Sequence, residues 1–144
     1  AARRLILNLD LHPILVHTPQ TFATLLPGLV VVAMLFPGLY PAEISAVVCF
    51  MALLLPVTVV GAILSGLIDG KVKLKKLRNP APLKKIIVGN VLLGISLGNA
   101  LVVAIGGYGE TTRLYVLALS AAMLVCAVLL GMMGKKLIHV VMPG

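Results

Sequence analysis

Histidine supplies most of the side-chain chemistry that this sequence offers. Two of its three histidines, His12 and His17, lie in the stretch HPILVHTP near the N-terminus, and the third, His139, lies near the C-terminus. An imidazole can ligate haem iron or another metal, exchange a proton near neutral pH, or hydrogen-bond a quinone carbonyl. The three histidines are therefore candidate cofactor-binding residues, with His17 and His139 as candidate ligands of haem iron. The alternative for each is a structural or solvated role.

His12 and His17 are poorly placed to share one metal ion. On a regular helix the step from one to the other turns through about 500°, which leaves their side chains about 140° apart. A haem held between histidines of different helices, such as His17 and His139, is compatible with the pattern.

The composition indicates which elements must position these histidines. Hydrophobic residues make up 60% of the chain and charged residues 11%, against roughly 45–50% and about 25% in soluble proteins. Four apolar runs come close to or exceed the about 20 residues that a crossing of the bilayer needs. They span residues 19–36, 44–68, 86–105 and 114–133. The sequence therefore predicts an all-α fold, a transmembrane antiparallel four-helix bundle that forms a single domain over residues 1–144.

The start of the first span has two interpretations. Thr18 is a good N-cap and Pro19 suits a first helical position, which predicts a helix from Pro19 and an interfacial segment over residues 5–18. Pro13 permits a helix that starts earlier, with His12 as its cap and Pro27 inside the span.

Basic residues are concentrated at one end of the predicted bundle. This basic end comprises the N-terminus, the loop between spans two and three, and the C-terminus. It holds Arg3, Arg4, Lys71, Lys73, Lys75, Lys76, Arg78, Lys84, Lys85, Lys135 and Lys136, and Arg113 alone lies at the other end. By the positive-inside rule the basic end is cytoplasmic, which predicts a multi-pass protein of the cell inner (plasma) membrane with both termini cytoplasmic. The net charge of +8 then needs no nucleic acid to explain it, and membrane lipid is a partner.

The basic loop GKVKLKKLRNPAPLKK has two interpretations. It is either a topology signal or a surface that contacts anionic lipid or a soluble partner.

The three histidines all fall at the basic end, and Lys84 and Lys85 lie at the same level. A lysine there can pair with a haem propionate or a quinone head group. The sequence thus predicts a site for haem b or a quinone formed by the histidines with Lys84 and Lys85. It contains no serine-histidine-aspartate order, no nucleotide-binding glycine pattern and no HExxH. We therefore assign no catalytic residue, and membership of an oxidoreductase complex remains open.

Small residues in two spans predict close helix packing. A small-xxx-small pair lies in span two, and a GxxxG pair lies on one stripe of span three with an asparagine. These helix-packing candidates are Gly61, Ser65, Gly94, Gly98 and Asn90. The alternative is that Asn90 or Asn99 touches the head group of a ligand.

Three stretches resemble a known family. LHPILVHTP resembles the HPxxVHFP signature of bacterial four-helix membrane proteins catalogued as domain of unknown function 2231, and SGLIDG and GMMGKKLIHVVMPG resemble the ends of that family's second and fourth helices. The chain departs from the family pattern at Thr18, where phenylalanine is usual, and at His139, where tyrosine is. Members occur fused to Rieske, rubredoxin-like or cytochrome b5-like modules, so the resemblance implies a membrane partner in electron transfer with quinone or haem.

Two functions follow as expectations. The first is an integral membrane subunit of a redox or electron-transfer assembly, which binds haem or quinone near the cytoplasmic face and contacts other membrane or peripheral redox subunits. The alternative is a non-catalytic membrane anchor or scaffold that docks a partner protein through its basic loop.

Overall fold

The part of the chain that the structure describes folds into four helices arranged around a common core. The computed structural model describes residues 11–74 and 80–141, and within them the side chains of 15–68 and 84–133. The helices are α1 (Leu11–Leu35), α2 (Pro41–Leu74), α3 (Pro80–Gly106) and α4 (Glu110–Val141). Consecutive helices pack together and α1 also packs against α4, so α1 lies diagonally across the bundle from α3. The predicted all-α, antiparallel four-helix bundle is confirmed.

Each helix contains an apolar stretch long enough to cross a membrane. These stretches are Leu15–Leu35, Pro41–Ile68, Lys84–Gly106 and Glu110–Met133, close to the four predicted spans. The side chains that point outward are also apolar; Phe50, Val57, Leu101 and Val125 are each at least 60% exposed. Water-soluble monomers rarely expose so large a continuous apolar surface. The protein is therefore a multi-pass membrane protein.

The first helix begins earlier than its capping residues suggest. α1 starts at Leu11 and contains both Pro19 and Pro27, so the prediction of a start at Pro19 is wrong and the earlier start is correct. Pro13 falls in the first turn, where its missing N–H has no helical acceptor. Of the segment 5–18 predicted to be interfacial, residues 5–10 lie outside the described part and residues 11–18 belong to α1.

The core consists of one row of side chains from each helix at alternating three- and four-residue spacing. On α1 this row is Ala23, Leu26, Val30 and Ala33, and on α3 it is Leu92, Ser96, Asn99 and Val103. Apolar helices in lipid associate through such packing, because the hydrophobic effect does not drive their association there. The small side chains of these rows therefore set how closely the four helices approach.

The glycine stripe of α3 lies on the outside of the bundle. Asn90 and Gly94 are exposed, and a Cβ added at Gly94 or Gly98 would have no neighbouring atom within 4 Å. The side-chain amide of Asn90 donates to the carbonyl of Ile86 in its own helix, at 2.9 Å. Within the bundle the packing prediction for these residues is wrong, because α3 buries its Ser96–Asn99 side instead.

Contact between α2 and α3 uses a different glycine. A Cβ at Gly61 would also meet nothing within 4 Å, so Gly61 does not bring two helices together. The hydroxyl of Ser65 donates to the carbonyl of Ala62 in its own helix. Gly89 is buried, and a Cβ there would lie 3.6 Å from Ile63. Gly89, which the sequence pattern did not single out, is the close-contact glycine of this pair.

Alanine substitutions at Gly106 and Gly94 should distinguish a glycine in a tight contact from a glycine with open space beside it. At Gly106 a Cβ would lie 2.7 Å from the methyl group of Thr112, and overpacking of this kind costs about 1–3 kcal/mol. At Gly94 the added methyl meets no atom, and alanine is favoured over glycine in a helix by about 1 kcal/mol. Thermal unfolding followed by circular dichroism in detergent should show a lower midpoint for Gly106→Ala and an equal or higher one for Gly94→Ala. An equal decrease of the thermal midpoint in both variants would contradict the tight contact at Gly106 and the open space at Gly94.

Candidate functional site

The packing of α1 against α4 sets the register of the basic end. A Cβ at Gly131 would lie 3.8 Å from the side-chain amide nitrogen of Gln20, so these two residues lie within about one helical turn of the same depth in the bundle. From that contact both helices continue for the same eight residues, to His12 in α1 and His139 in α4. At 1.5 Å per residue each lies about 12 Å farther toward the basic end. The backbone therefore places His12 and His139 at similar depths along the bundle axis, on two neighbouring helices.

The other predicted site residues are distributed around this end. His17 is exposed on α1, and its carbonyl accepts a hydrogen bond of 2.9 Å from the hydroxyl of Thr21. Lys84 is exposed and Lys85 is half-buried on α3, which contacts α4 but lies diagonally opposite α1. The two lysines are thus next to the helix of His139 and remote from the helix of His12 and His17. The side chains of His12 and His139 lie outside the described residues.

The described interior offers no histidine to a cofactor. Its buried polar side chains are Ser96, Asn99 and Ser120, and the serine hydroxyls donate to carbonyls within their own helices. Among the side chains that the structure describes, no three of His, Cys, Asp and Glu are grouped to hold a metal. Imidazole and thiolate are the usual protein donors to haem iron. The described interior holds two free thiols, the buried Cys126 and the half-buried Cys49, whereas all three histidines belong to the basic end.

Asn99 is the exception in an otherwise satisfied interior. It is fully buried, and in the described part of the chain neither its amide nitrogen nor its oxygen has a hydrogen-bond partner. The sequence marked Asn99 as a possible head-group contact, but its position in the core row of α3 puts it inside the protein.

The end opposite the basic end is built on the short connection between α3 and α4. Gly107 directly follows α3 and adopts the left-handed region, at φ 64°, as glycine commonly does after a helix. The hydroxyl of Thr112 accepts from the N–H of Gly109 at 2.9 Å and donates to the carbonyl of Gly107 at 2.8 Å. These bonds give the connection a defined shape and so fix where Tyr108 leaves the backbone.

Tyr108 and Arg113 form a polar pair at this end. The guanidinium carbon of Arg113 is 6.0 Å from the centre of the Tyr108 ring, at the limit of a cation–π contact. The Tyr108 hydroxyl and the Arg113 Nε are both buried without a hydrogen-bond partner among the described residues. Burial raises the pKa of Tyr108, and the Arg113 guanidinium opposes that rise through its positive charge and its approach to the Tyr108 hydroxyl. At neutral pH Tyr108 is therefore an uncharged hydroxyl donor.

A pocket of about 370 Å³ lies between this pair and the connection from α1 to α2. Its apolar wall consists of Ala33, Phe36, Pro37, Leu39, Pro41 and Ala42, and Ser45 adds a hydroxyl. The sequence reasoning missed this pocket because its walls come from two connections that are distant in the chain. The signal that could have found it is Arg113, the one basic residue away from the basic end.

No family model, curated protein or solved structure matches this chain. The resemblance to the bacterial four-helix family therefore stays a prediction, and the proposals below stand on the geometry of the two ends.

Replacing Asn99 should stabilise the bundle. An unsatisfied buried polar group costs about 1–3 kcal/mol, and leucine has nearly the same size without the polar atoms. Asn99→Leu should therefore raise the thermal midpoint in detergent, whereas Asn99→Asp should lower it. Ser96→Ala, on the same buried row, serves as the control and should change the midpoint little. A clear loss of stability in Asn99→Leu would instead mean that the amide has a partner.

Proposed function

We propose that the protein is an integral membrane subunit of a redox or electron-transfer assembly that binds haem b or a quinone at its basic end. The observation that carries this proposal is the register of α1 and α4, which gives His12 and His139 a common level on adjacent helices. Two imidazoles on neighbouring helices are a donor set that suits haem iron or the two carbonyl groups of a quinone. The bound group would supply the redox chemistry.

The charges at this end support the same assignment. Lys85 is half-buried on the helix next to α4, and with Lys84 it would offer positive charge to haem propionates or to a reduced quinone. His17 lies five residues farther along α1 than His12, and would orient the group or exchange protons with it. Since no catalytic motif accompanies these residues, electrons would come from and go to other membrane or peripheral redox subunits.

The orientation proposed for the chain follows from its basic residues. With the basic end cytoplasmic, in the cell inner (plasma) membrane, both termini and the histidines face the cytoplasm. Peripheral redox partners would then approach from the cytoplasmic side.

A second candidate is a membrane anchor or scaffold that docks a partner through the basic loop. The observation that favours it is the length of α2, which continues to Leu74, beyond the apolar run 44–68 of the sequence. That extension is about 9 Å long, and it carries Lys71 and Lys73 toward the aqueous side. Helical basic residues in such a position suit contact with an acidic protein surface or anionic lipid.

Absorption spectroscopy of the full chain, purified in mild detergent from its native membranes, tests the first proposal. We expect either a Soret band, or uptake of added haemin with such a band, or a quinone in the solvent extract. His12→Ala and His139→Ala should each lower the bound cofactor about tenfold or more, because each removes a ligand or a charge-assisted contact. Thr24→Ala, an exposed polar change on α1, is the control and should leave occupancy unchanged.

A folded, colourless protein that binds no haemin and yields no quinone would contradict the redox proposal. The anchor proposal would then be tested by charge reversal at Lys73, Lys75 and Lys76. It predicts that this variant loses a co-purifying partner protein, while reversal of Lys135 and Lys136 does not. Retention of the partner in both variants would contradict the anchor proposal as well.

A further inference from the structure

We propose that the pocket at the Tyr108–Arg113 end binds the phosphate group of an anionic amphiphile, with Arg113 and Tyr108 on the phosphate and the apolar wall against its hydrocarbon part. This site is separate from the histidines, at the opposite end of the bundle, and does not depend on the redox proposal.

The first support is the partial burial of the Arg113 guanidinium. The two carboxylates of this end, Glu43 and Glu110, are exposed, whereas the Arg113 Nε is buried and has no hydrogen-bond partner in the part of the chain that the structure describes. Arg113 itself is half-buried at the head of a membrane-spanning helix. A buried donor of a charged group is unfavourable when it has no acceptor, and a guanidinium matches a phosphate through several N–H groups at once. A phosphate would therefore give the Arg113 Nε the acceptor that the described residues do not provide.

The second support is the excess of hydrogen-bond donors at the pocket. Arg113 Nε and the hydroxyl of Tyr108 are buried without an acceptor among the described residues. Ser45 adds a hydroxyl to the pocket wall. A guanidinium has only donors, and the raised pKa of Tyr108 keeps its proton in place. A group with several acceptor oxygens and negative charge complements this set, and phosphate is such a group.

The third support is the shape and composition of the rest of the pocket. Phe36, Leu39 and Ala33 are apolar, and they belong to the end of α1 and its connection to α2. The pocket has about 370 Å³, which is within the range of small-molecule sites. Its position at the ends of the spans is where the phosphate of a membrane lipid lies, with acyl chains directed along the helices. An amphiphile therefore fits the site better than a fully polar anion.

Binding to the full chain in maltoside micelles tests the site. The probe is dioctanoyl phosphatidylglycerol, and the control ligand is dioctanoylglycerol, which has the same chains and no phosphate. We expect saturable binding of the phospholipid by calorimetry, with a rise of the thermal midpoint. Arg113→Gln should weaken this binding about tenfold or more, as expected for loss of a charge-assisted hydrogen bond. Lys135→Gln, which removes the same charge at the basic end, should leave it within about twofold, because charges at the far end of the bundle are screened.

Tyr108→Phe gives a second variant with a small structural change. It should weaken phospholipid binding several-fold while the circular dichroism spectrum stays unchanged, and so it keeps the test valid if Arg113→Gln does not fold. Inorganic phosphate separates the two sources of the oxyanion. Binding of the phospholipid alone supports the amphiphile, whereas equally tight, Arg113-dependent binding of free phosphate would overturn the amphiphile in favour of a soluble phosphate compound.

Three further outcomes would overturn the proposal. One is equal affinity for the phospholipid and for dioctanoylglycerol. Another is the same affinity in Arg113→Gln, Tyr108→Phe and Lys135→Gln. The third is no saturable binding of either phosphate source by the folded wild-type chain.

Discussion

Hydrogen bonding of the backbone inside hydrocarbon is the constraint on which the rest of this structure depends. No water is present there to accept or donate, so each peptide group must be paired within the protein. The chain meets this demand with four long helices, and the two described connections lie at the ends of the spans. Backbone groups are paired even at a connection, because the hydroxyl of Thr112 forms hydrogen bonds with both Gly107 and Gly109. Polar chemistry is thereby concentrated at the two ends, and of the three polar side chains buried in the described interior only Asn99 lacks a hydrogen-bond partner.

The fold could be predicted from the sequence because the same constraint produces a simple sequence pattern. Continuous apolar runs of bilayer length identify the four helices that can span a membrane, and short connections between them impose the antiparallel order. Local capping signals do not determine where α1 begins, because Thr18–Pro19 is a good helix start in isolation. A helix that is already anchored at Leu11 can pass through Pro19, since a proline inside a membrane helix is tolerated where its surroundings satisfy the freed carbonyl.

The details of packing and of the pocket were beyond sequence reasoning for a physical reason. An apolar helix in lipid has no hydrophilic face to mark its outer side, so Gly94 and Gly98 were as plausible a contact face as Ser96 and Asn99. The Tyr108–Arg113 pocket depends on two connections that meet only in the folded bundle. Which side of each helix faces inward follows from the fit of all four together. The histidines differ, because the antiparallel order alone brings their positions to one end.

The central claim is that α1 packs against α4 and so unites the two ends of the chain. Cross-linking in native membranes with a short bifunctional thiol reagent tests it directly, in a background with Cys49 and Cys126 replaced by alanine. The account predicts an efficient intramolecular cross-link between Gln20→Cys and Gly131→Cys, and little or none between Gln20→Cys and Lys85→Cys on the diagonal helix. Preferential cross-linking of position 20 to position 85, with none to 131, would contradict the arrangement and with it the shared histidine level.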